Sequence, residues 1–279
     1  MLTDKDMTDF KKLHEDIVQW IRDWFEKNGK DCNAIIGLSG GKDSTIIAAL
    51  CVEALGAERV IGVAMPDTGQ GLNGAREIAE GLGISFIVAP IGSITGAFDR
   101  PMMVQFKDNH SELSDIYKRV TETYGMEAVT PEWSKQAEQN IPPRIRMTML
   151  YAIAQTFNGR VACTCNLSED WIGYATLYGD SAGSFAPFSN LTVTEIRNLG
   201  MEMGLKREWV YKVPDDGLPN SCPDEEKFGF SYDVLDKYIR TGVCEDDAVK
   251  AKIESMHEKN EFKTKILRIP SYYPDGIIL

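Results

Sequence analysis

Eight consecutive residues, Gly37-Leu38-Ser39-Gly40-Gly41-Lys42-Asp43-Ser44, gather most of the groups needed to hold a polyphosphate. Two adjacent glycines let the main chain approach a bulky ligand closely. Ser39 and Ser44 add hydroxyl donors, Lys42 adds positive charge, and Asp43 can hold a cation such as Mg²⁺. A second concentration of such groups follows in Asn166-Leu167-Ser168-Glu169-Asp170, Gly173-Tyr174 and Tyr178-Gly179-Asp180-Ser181-Ala182-Gly183. Its carboxylates, Glu169, Asp170 and Asp180, can make a hard magnesium site with phosphate oxygens, although a solvated acidic loop has the same composition. Arg144 and Arg146 are cations that need something negative, either structural ion pairs or an anionic ligand.

The elements around these residues explain how they would be positioned. Ala34-Ile35-Ile36 reads as a buried strand, and Thr45 to Leu55 has a helical pattern ended by Gly56. The phosphate-holding residues therefore lie in a turn whose following helix N-terminus offers unpaired N–H groups. Further strands are expected at Arg59 to Met65, Ile84 to Ala89 and Arg160 to Thr164, with a helix over Asn73 to Leu82. This alternation predicts an α/β protein with a doubly wound, mostly parallel sheet and helices on both faces. Ligands in such sheets sit beyond the carboxyl ends of the strands. The turn at Ser39-Gly40-Gly41, the loop Pro66 to Gly71 and the Glu169–Asp180 region all fall at such ends.

The remaining chain is read more coarsely. Phe10 to Phe25 is an amphipathic helix, and helices are expected at Ile94 to Val104 and Leu113 to Tyr124. Arg144 to Phe157 reads as a buried helix with Pro142-Pro143 in its first turn and Asn140 as its cap. Arg144 and Arg146 would then oppose the helix dipole. Thr192 to Met203 opens with a capping box, Thr192-Val193-Thr194-Glu195. Asp215 to Phe228 reads as a long loop of the kind that forms lids, followed by helices at Tyr232 to Ile239 and Ala248 to Met256. Lys263, Lys265 and Arg268 form a small basic cluster, a solvated run by default and a phosphate site otherwise.

At 279 residues, with 43% hydrophobic and 26% charged content, the chain suits a soluble globular protein. We expect one domain over 1–279, its core about 31–205 and a C-terminal part about 206–279 supplying a lid and substrate contacts. A net charge of −12 argues against nucleic acid or an anionic membrane as partner. No signal peptide and no apolar run of ~20 residues is visible, so the expected location is cytoplasmic. The six cysteines and three histidines are scattered, which speaks for reduced thiols and against a structural zinc site.

The motif does not fit the Walker pattern, which would need glycine at Ile36 and Ser or Thr at Asp43. It resembles instead the SGGxDS loop of the N-type ATP pyrophosphatases, which cut ATP between its α- and β-phosphates. Further motifs agree in order and spacing: Asn140-x-x-x-Arg144-x-Arg146-Met147, Thr164 with Ser168-Glu169, Gly173-Tyr174 leading to Tyr178-Gly179-Asp180, and Pro223-Asp224-Glu225 through Ser231-Tyr232. Together they resemble the ammonia-dependent NAD synthetase family over nearly the whole chain.

The resemblance implies an adenine nucleotide alpha hydrolase-like fold. It also implies ATP-dependent amidation of deamido-NAD by ammonia through an adenylate, giving NAD, AMP and pyrophosphate. Carried over residue by residue, it implies that Asp43 and Glu169 hold Mg²⁺. Gly37, Ser39, Gly40, Gly41, Lys42, Asp43, Ser44, Thr164 and Gln70 would serve ATP, and Arg144, Tyr174, Asp180 and Lys263 would serve deamido-NAD. Lys42, Asp43, Glu169 and Asp180 form the expected catalytic set, with Asp180 also taking a proton from ammonia. The family also implies a homodimer. The chain departs from it at Leu177 and Val193, where lysine is common, at Ser184, where aspartate is common, and at Phe262, where histidine is common. No glutaminase segment is visible, so nitrogen is expected as free ammonia or from a separate partner. The alternatives are another pyrophosphatase that amidates or thiolates a different acceptor, and a regulator that binds ATP without turnover.

Overall fold

The computed structural model describes residues 9–67, 72–99, 102–104, 127–129, 133–211, 224–266, 269 and 271–272. The first helix, α1 (Phe10–Asn28), buries Ile17, Val18, Ile21 and Phe25 on one stripe, and the Asp9 side chain caps it by accepting from the Lys12 N–H. Next come β1 (Asn33–Gly37), α2 (Lys42–Leu55), β2 (Val60–Ala64), α3 (Leu72–Leu82), β3 (Ser85–Val88) and the single turn α4 (Gly92–Thr95). A small antiparallel pair, β4 (Met102–Val104) and β5 (Glu127–Val129), precedes the long helix α5 (Lys135–Thr156) and β6 (Gly159–Val161). The chain continues through α6 (Leu167–Ile172), α7 (Val193–Glu202), α8 (Arg207–Val210), α9 (Asp224–Phe228), α10 (Tyr232–Thr241) and α11 (Asp247–Ile266).

The four main strands run parallel in the order β3-β2-β1-β6. Alternation along each strand sends its side chains to two different cores. Ala34, Ile36, Val60 and Ala64 pack with α1, α2, α3 and α7, while Ile35, Ile61, Val63 and Val161 pack with Ile145, Leu150 and Ile153 of α5. Both faces are therefore covered, as expected of a doubly wound sheet. From β1 the chain winds outward to β2 and β3, then returns to β6 on the other side of β1. The reversal of strand order lies between β1 and β6, where such sheets bind ligands.

A third apolar cluster joins Ile172, Val193, Phe228, Phe230, Tyr232, Leu235 and Ile253, so the C-terminal helices pack on α6 and α7. Polar clamps hold them in register. Arg240 of α10 grips Glu195 of α7 with two bonds of 2.7 Å and donates a third, also 2.7 Å, to the Asn190 carbonyl. Asp236 accepts from Ser168 Oγ at 2.5 Å and from the Thr194 N–H at 2.7 Å. Among the described residues, no helix is long and apolar enough to cross a membrane.

Several expectations need correction. The helix containing Arg144 begins at Lys135, capped by Ser134, and runs straight through Pro142 and Pro143. The two arginines therefore lie mid-helix, away from its dipole end, and Asn140 is no cap: its Oδ1 accepts from Thr176 Oγ1 at 2.8 Å. Ile94 to Val104 is not one helix but the end of α4, a 3₁₀ turn over Gly96–Asp99 and then β4. Within Asp215 to Phe228, residues 224–228 are helical, and the last helix reaches Ile266, beyond Met256. The expected helix at Leu113 to Tyr124 lies outside the described residues.

Candidate active site

Gly37 ends β1, and the next residues turn sharply into α2. Gly40 has φ of 81°, a left-handed conformation that a Cβ makes costly. Ser39 Oγ accepts from the Gly41 N–H at 3.2 Å and lies 3.4 Å from Ser44 Oγ. The Gly41 carbonyl receives Ser44 Oγ at 3.2 Å and Thr45 Oγ1 at 2.7 Å. The turn is thus tied to the first turn of α2 by its own hydroxyls. No side chain caps α2, so its first amides and positive dipole end are open to an anion.

Lys42 is buried, and its ammonium lies 2.8 Å from Asp43 Oδ2. Burial works against that charge, but Asp43 and Glu169 outweigh it and hold the Lys42 pKa above its ordinary value. Asp43 Oδ1 is buried without a hydrogen-bond partner. Glu169 comes from the first turn of α6, where Asn166 Oδ1 accepts from its N–H at 3.0 Å. Desolvation and then the nearby charge of Asp43 push the Glu169 carboxyl well above the usual range, against the pull of Lys42. Loops after β1 and β6 therefore set two carboxylates against each other. A hard divalent cation, accepting the unpartnered Asp43 oxygen, would relieve that crowding, so the residues fit such an ion.

Asp180 belongs to the same loop region. It keeps an edge open to solvent, while its carboxylate accepts from the Thr176 N–H at 2.8 Å and faces Cys165 Sγ at 3.8 Å. A Cβ added at Gly183 would lie 2.6 Å from the Cys163 N, so this loop packs on the segment just beyond β6 only because glycine stands there. Asp170 has its pKa raised to about 7 by burial and by Asp180, with Lys263 opposing. Lys263 Nζ donates to the carbonyls of Gly173 at 2.7 Å and Ala175 at 3.1 Å, tying α11 to the Asp180 loop. Burial lowers its pKa, against Asp180 and Asp170.

The two arginines reach different loops. Arg144 Nε donates to the Leu177 carbonyl at 3.2 Å, and Arg146 Nε to the Met65 carbonyl at 3.1 Å. Burial lowers the Arg146 pKa, while Asp67 and Asp180 hold its charge. Arg146 thus links the loop after β2 to Asp180. The Tyr174 hydroxyl donates to Asp224 Oδ1 at 2.8 Å and accepts from Lys227 Nζ at 3.0 Å, which engages it with α9. Thr164 is half-buried between the buried Cys163 and Cys165. Gln70 lies outside the described residues.

The positions that depart from the expected pattern are occupied in identifiable ways. Ser184 Oγ accepts from the Val161 N–H at 3.2 Å, a strand-edge contact. Val193 is buried in the C-terminal apolar cluster, and Phe262 is exposed. Two side chains near Lys42 were given no role from sequence. Lys42 Nζ lies 5.9 Å from the Tyr232 ring, whose hydroxyl is buried and unpartnered. Arg197 acts on Lys42 as a like charge. Tyr232 lay inside a quoted motif, but its approach to residue 42 depends on folding; Arg197 carried no signal beyond being the basic residue of α7.

Taken together, the sheet topology and an anion-ready helix N-terminus beside paired carboxylates define a doubly wound α/β protein of adenine nucleotide alpha hydrolase-like fold. The family model described as NAD synthase matches residues 13–267, and the chain belongs to that family. The NH(3)-dependent NAD(+) synthetase of Archaeoglobus fulgidus is 35% identical over 264 residues, covering 92% of this chain and 95% of the relative. That of Methanocaldococcus jannaschii is 34% identical over 232 residues, covering 81% and 80%. Among solved structures, an NMN synthetase from Francisella tularensis superposes with a TM-score of 0.73 at 25% identity, covering 96% and 99% of the two chains. An NH3-dependent NAD synthetase from Campylobacter jejuni, in complex with the nitrate ion, gives 0.67 at 26%, covering 94% and 99%.

Proposed function

We propose that this member of the NAD synthase family is an ammonia-dependent NAD synthetase, a ligase that amidates deamido-NAD while ATP is cleaved to AMP and pyrophosphate. The observation that carries the reading is the buried Lys42–Asp43 pair beside Glu169 at the open N-terminus of α2. A cation, free amides and crowded carboxylates at one place suit a polyphosphate that leaves with a metal.

In the first step a nicotinate carboxylate oxygen attacks the α-phosphorus of ATP, and the bond to the β-phosphate oxygen breaks. Oxide is a poor leaving group, and adenylation makes that oxygen part of AMP. Charge accumulates on the departing pyrophosphate, which Lys42 and the amides at the N-terminus of α2 would receive. The Gly40 amide and Ser39 would join them, as would the Gly41 amide and Ser44 hydroxyl by exchanging their bonds within the turn for phosphate oxygens. Asp43 and Glu169 would hold Mg²⁺, which when bound neutralises phosphate charge and polarises the bond being broken. In the second step the ammonia nitrogen attacks the activated carbonyl carbon and AMP leaves. Asp180 holds ammonium and takes its proton, its carboxylate fixed by Thr176 while one edge stays open. Gly37 and Thr164 complete the ATP side, to which the resemblance also assigns Gln70. Arg144, Tyr174 and Lys263 hold the dinucleotide.

The part of the chain from about 206 would supply a lid and substrate contacts, within one functional unit spanning 1–279; of its described elements, α9, α10 and α11 share an apolar cluster with α6 and α7. The enzyme works in the cytoplasm as a homodimer; the exposed Tyr151 of α5 and Phe157 at its C-cap offer apolar surface for a second copy. A second reading takes the mononucleotide counterpart of deamido-NAD as acceptor. It is favoured by the 0.73 TM-score with the NMN synthetase. Purified protein given ATP, Mg²⁺, ammonium and either acceptor decides the matter. NAD and AMP formed in equal amounts from deamido-NAD support the main reading. Amidation of the mononucleotide alone would replace it, and failure to cleave ATP with any acceptor would remove both.

A further inference from the structure

Arg197 is the basic residue of α7, placed one turn beyond Val193 on a helix that packs closely on α2. A Cβ at Gly200 would lie 2.8 Å from Ile46 Cδ1, which shows how near the two helices run. Arg197 Nε is shut off from solvent and has no acceptor. Among the described residues its guanidinium makes no hydrogen bond and no ion pair. Its Cζ lies 5.9 Å from the Tyr211 ring, which restrains the side chain, and its charge repels that of Lys42.

This arrangement is unfavourable as it stands. The chain has 42 acidic and 30 basic side chains, so acidic partners are plentiful, yet among the described residues this arginine has none and feels a second cation, Lys42. A partly buried donor without an acceptor costs stability, and a like charge nearby adds to the cost. An anion between the two cations removes both penalties. Lys42 is already half-neutralised by Asp43 at 2.8 Å, so it cannot alone balance a departing pyrophosphate. A guanidinium presents a planar fork that matches two phosphate oxygens.

We propose that Arg197 is a phosphate ligand of this site, gripping the β- and γ-phosphate oxygens of ATP and of the pyrophosphate that leaves, opposite Lys42. The inference rests on the ATP-cleaving reading given above and adds a residue to it. Arg197 touches only the part of ATP that departs, so AMP gains nothing from it.

Calorimetric titration of the full chain with ATP, inorganic pyrophosphate and AMP, each with Mg²⁺, tests this in wild type, Arg197→Met, Arg197→Gln and Arg197→Lys. The neutral variants are expected to bind ATP and pyrophosphate about tenfold more weakly, the value of one charge-assisted contact, with AMP affinity unchanged. Arg197→Lys recovers part of the loss. Melting without nucleotide stays at or above the wild-type temperature, because a repulsion has been removed. An ATP loss of less than about fivefold, or an equal loss for AMP, would overturn the role of Arg197. Wild-type protein that bound neither ATP nor pyrophosphate would instead overturn the ATP-cleaving reading itself.

Discussion

Lys42 and Asp43 neutralise each other through Nζ and Oδ2 at 2.8 Å, while the second oxygen of the same carboxylate, Oδ1, is buried and unpartnered. Neighbours in sequence rarely face each other on a helix, and this pair does so only because both stand in the first turn of α2. One carboxylate thus orients the lysine and keeps a second oxygen that, in the proposed reaction, would take a cation.

Asp43→Ala removes both. NAD formation is expected to fall by about 10²-fold or more, the scale seen when one pre-placed electrostatic group is deleted. Asp43→Asn keeps the shape but weakens the response to Mg²⁺, read as a rightward shift of the metal titration. Turnover within tenfold of wild type in Asp43→Ala would take Asp43 out of this role.

The acidic loop also makes stability depend on pH. Asp170 has a folded pKa of about 7, above an unfolded value near 3.8. A raised pKa means that the folded state binds the proton more tightly, so the contribution to stability is complete below about pH 4. It is lost as pH rises to about 7, a range worth roughly 2–4 kcal/mol for so crowded a carboxyl. Asp170→Asn should therefore melt higher than wild type at pH 8 in the presence of a chelator, the gap closing toward pH 4. A pH-independent difference between the two proteins would contradict this.

The parts of this structure legible in sequence were those made by neighbours. The apolar run Ala34-Ile35-Ile36, the glycine turn and the helix after it are contiguous, so local pattern specified them, although the helix begins at Lys42, three residues before the Thr45 read from sequence. The capping box of α7 was legible for the same reason, both partners lying within one turn. Pro142 and Pro143 misled because proline is at home in a first turn, whereas the packing of Ile145, Leu150 and Ile153 carries α5 through them from Ser134. Tyr232 and Arg197 reach the Lys42 region only through the docking of α10 and α7. No local spacing encodes such long-range contacts.

That docking gives a stability prediction. Arg240 holds Glu195 by two bonds of 2.7 Å, both side chains are largely buried, and the same glutamate completes the α7 capping box. Arg240→Ala leaves a buried carboxylate without its cation and should destabilise the protein by about 3–5 kcal/mol. A lower denaturation midpoint in urea would report it. The double variant Arg240→Met with Glu195→Gln should recover part of the loss, since the uncompensated charge is then gone. Equal losses in the single and double variants would show that the pair acts only through packing.

If Asp180 is the base of the proposed second step, its removal separates the two chemical steps. Its carboxylate is fixed by the Thr176 N–H at 2.8 Å and keeps an edge open to solvent, whereas the Lys42–Asp43 pair, bonded at 2.8 Å, is largely buried. Asp180→Asn preserves the size and one acceptor oxygen but cannot take a proton from ammonium. Rapid-quench measurements should then show a burst of pyrophosphate near one equivalent per site, followed by NAD formation slowed by about 10²-fold. Raising ammonium should not restore the rate, because the missing element is the base and not occupancy. Full restoration by high ammonium would reduce Asp180 to holding the cation. Loss of the pyrophosphate burst would instead place Asp180 in the adenylation step, on the side of the dinucleotide carboxylate.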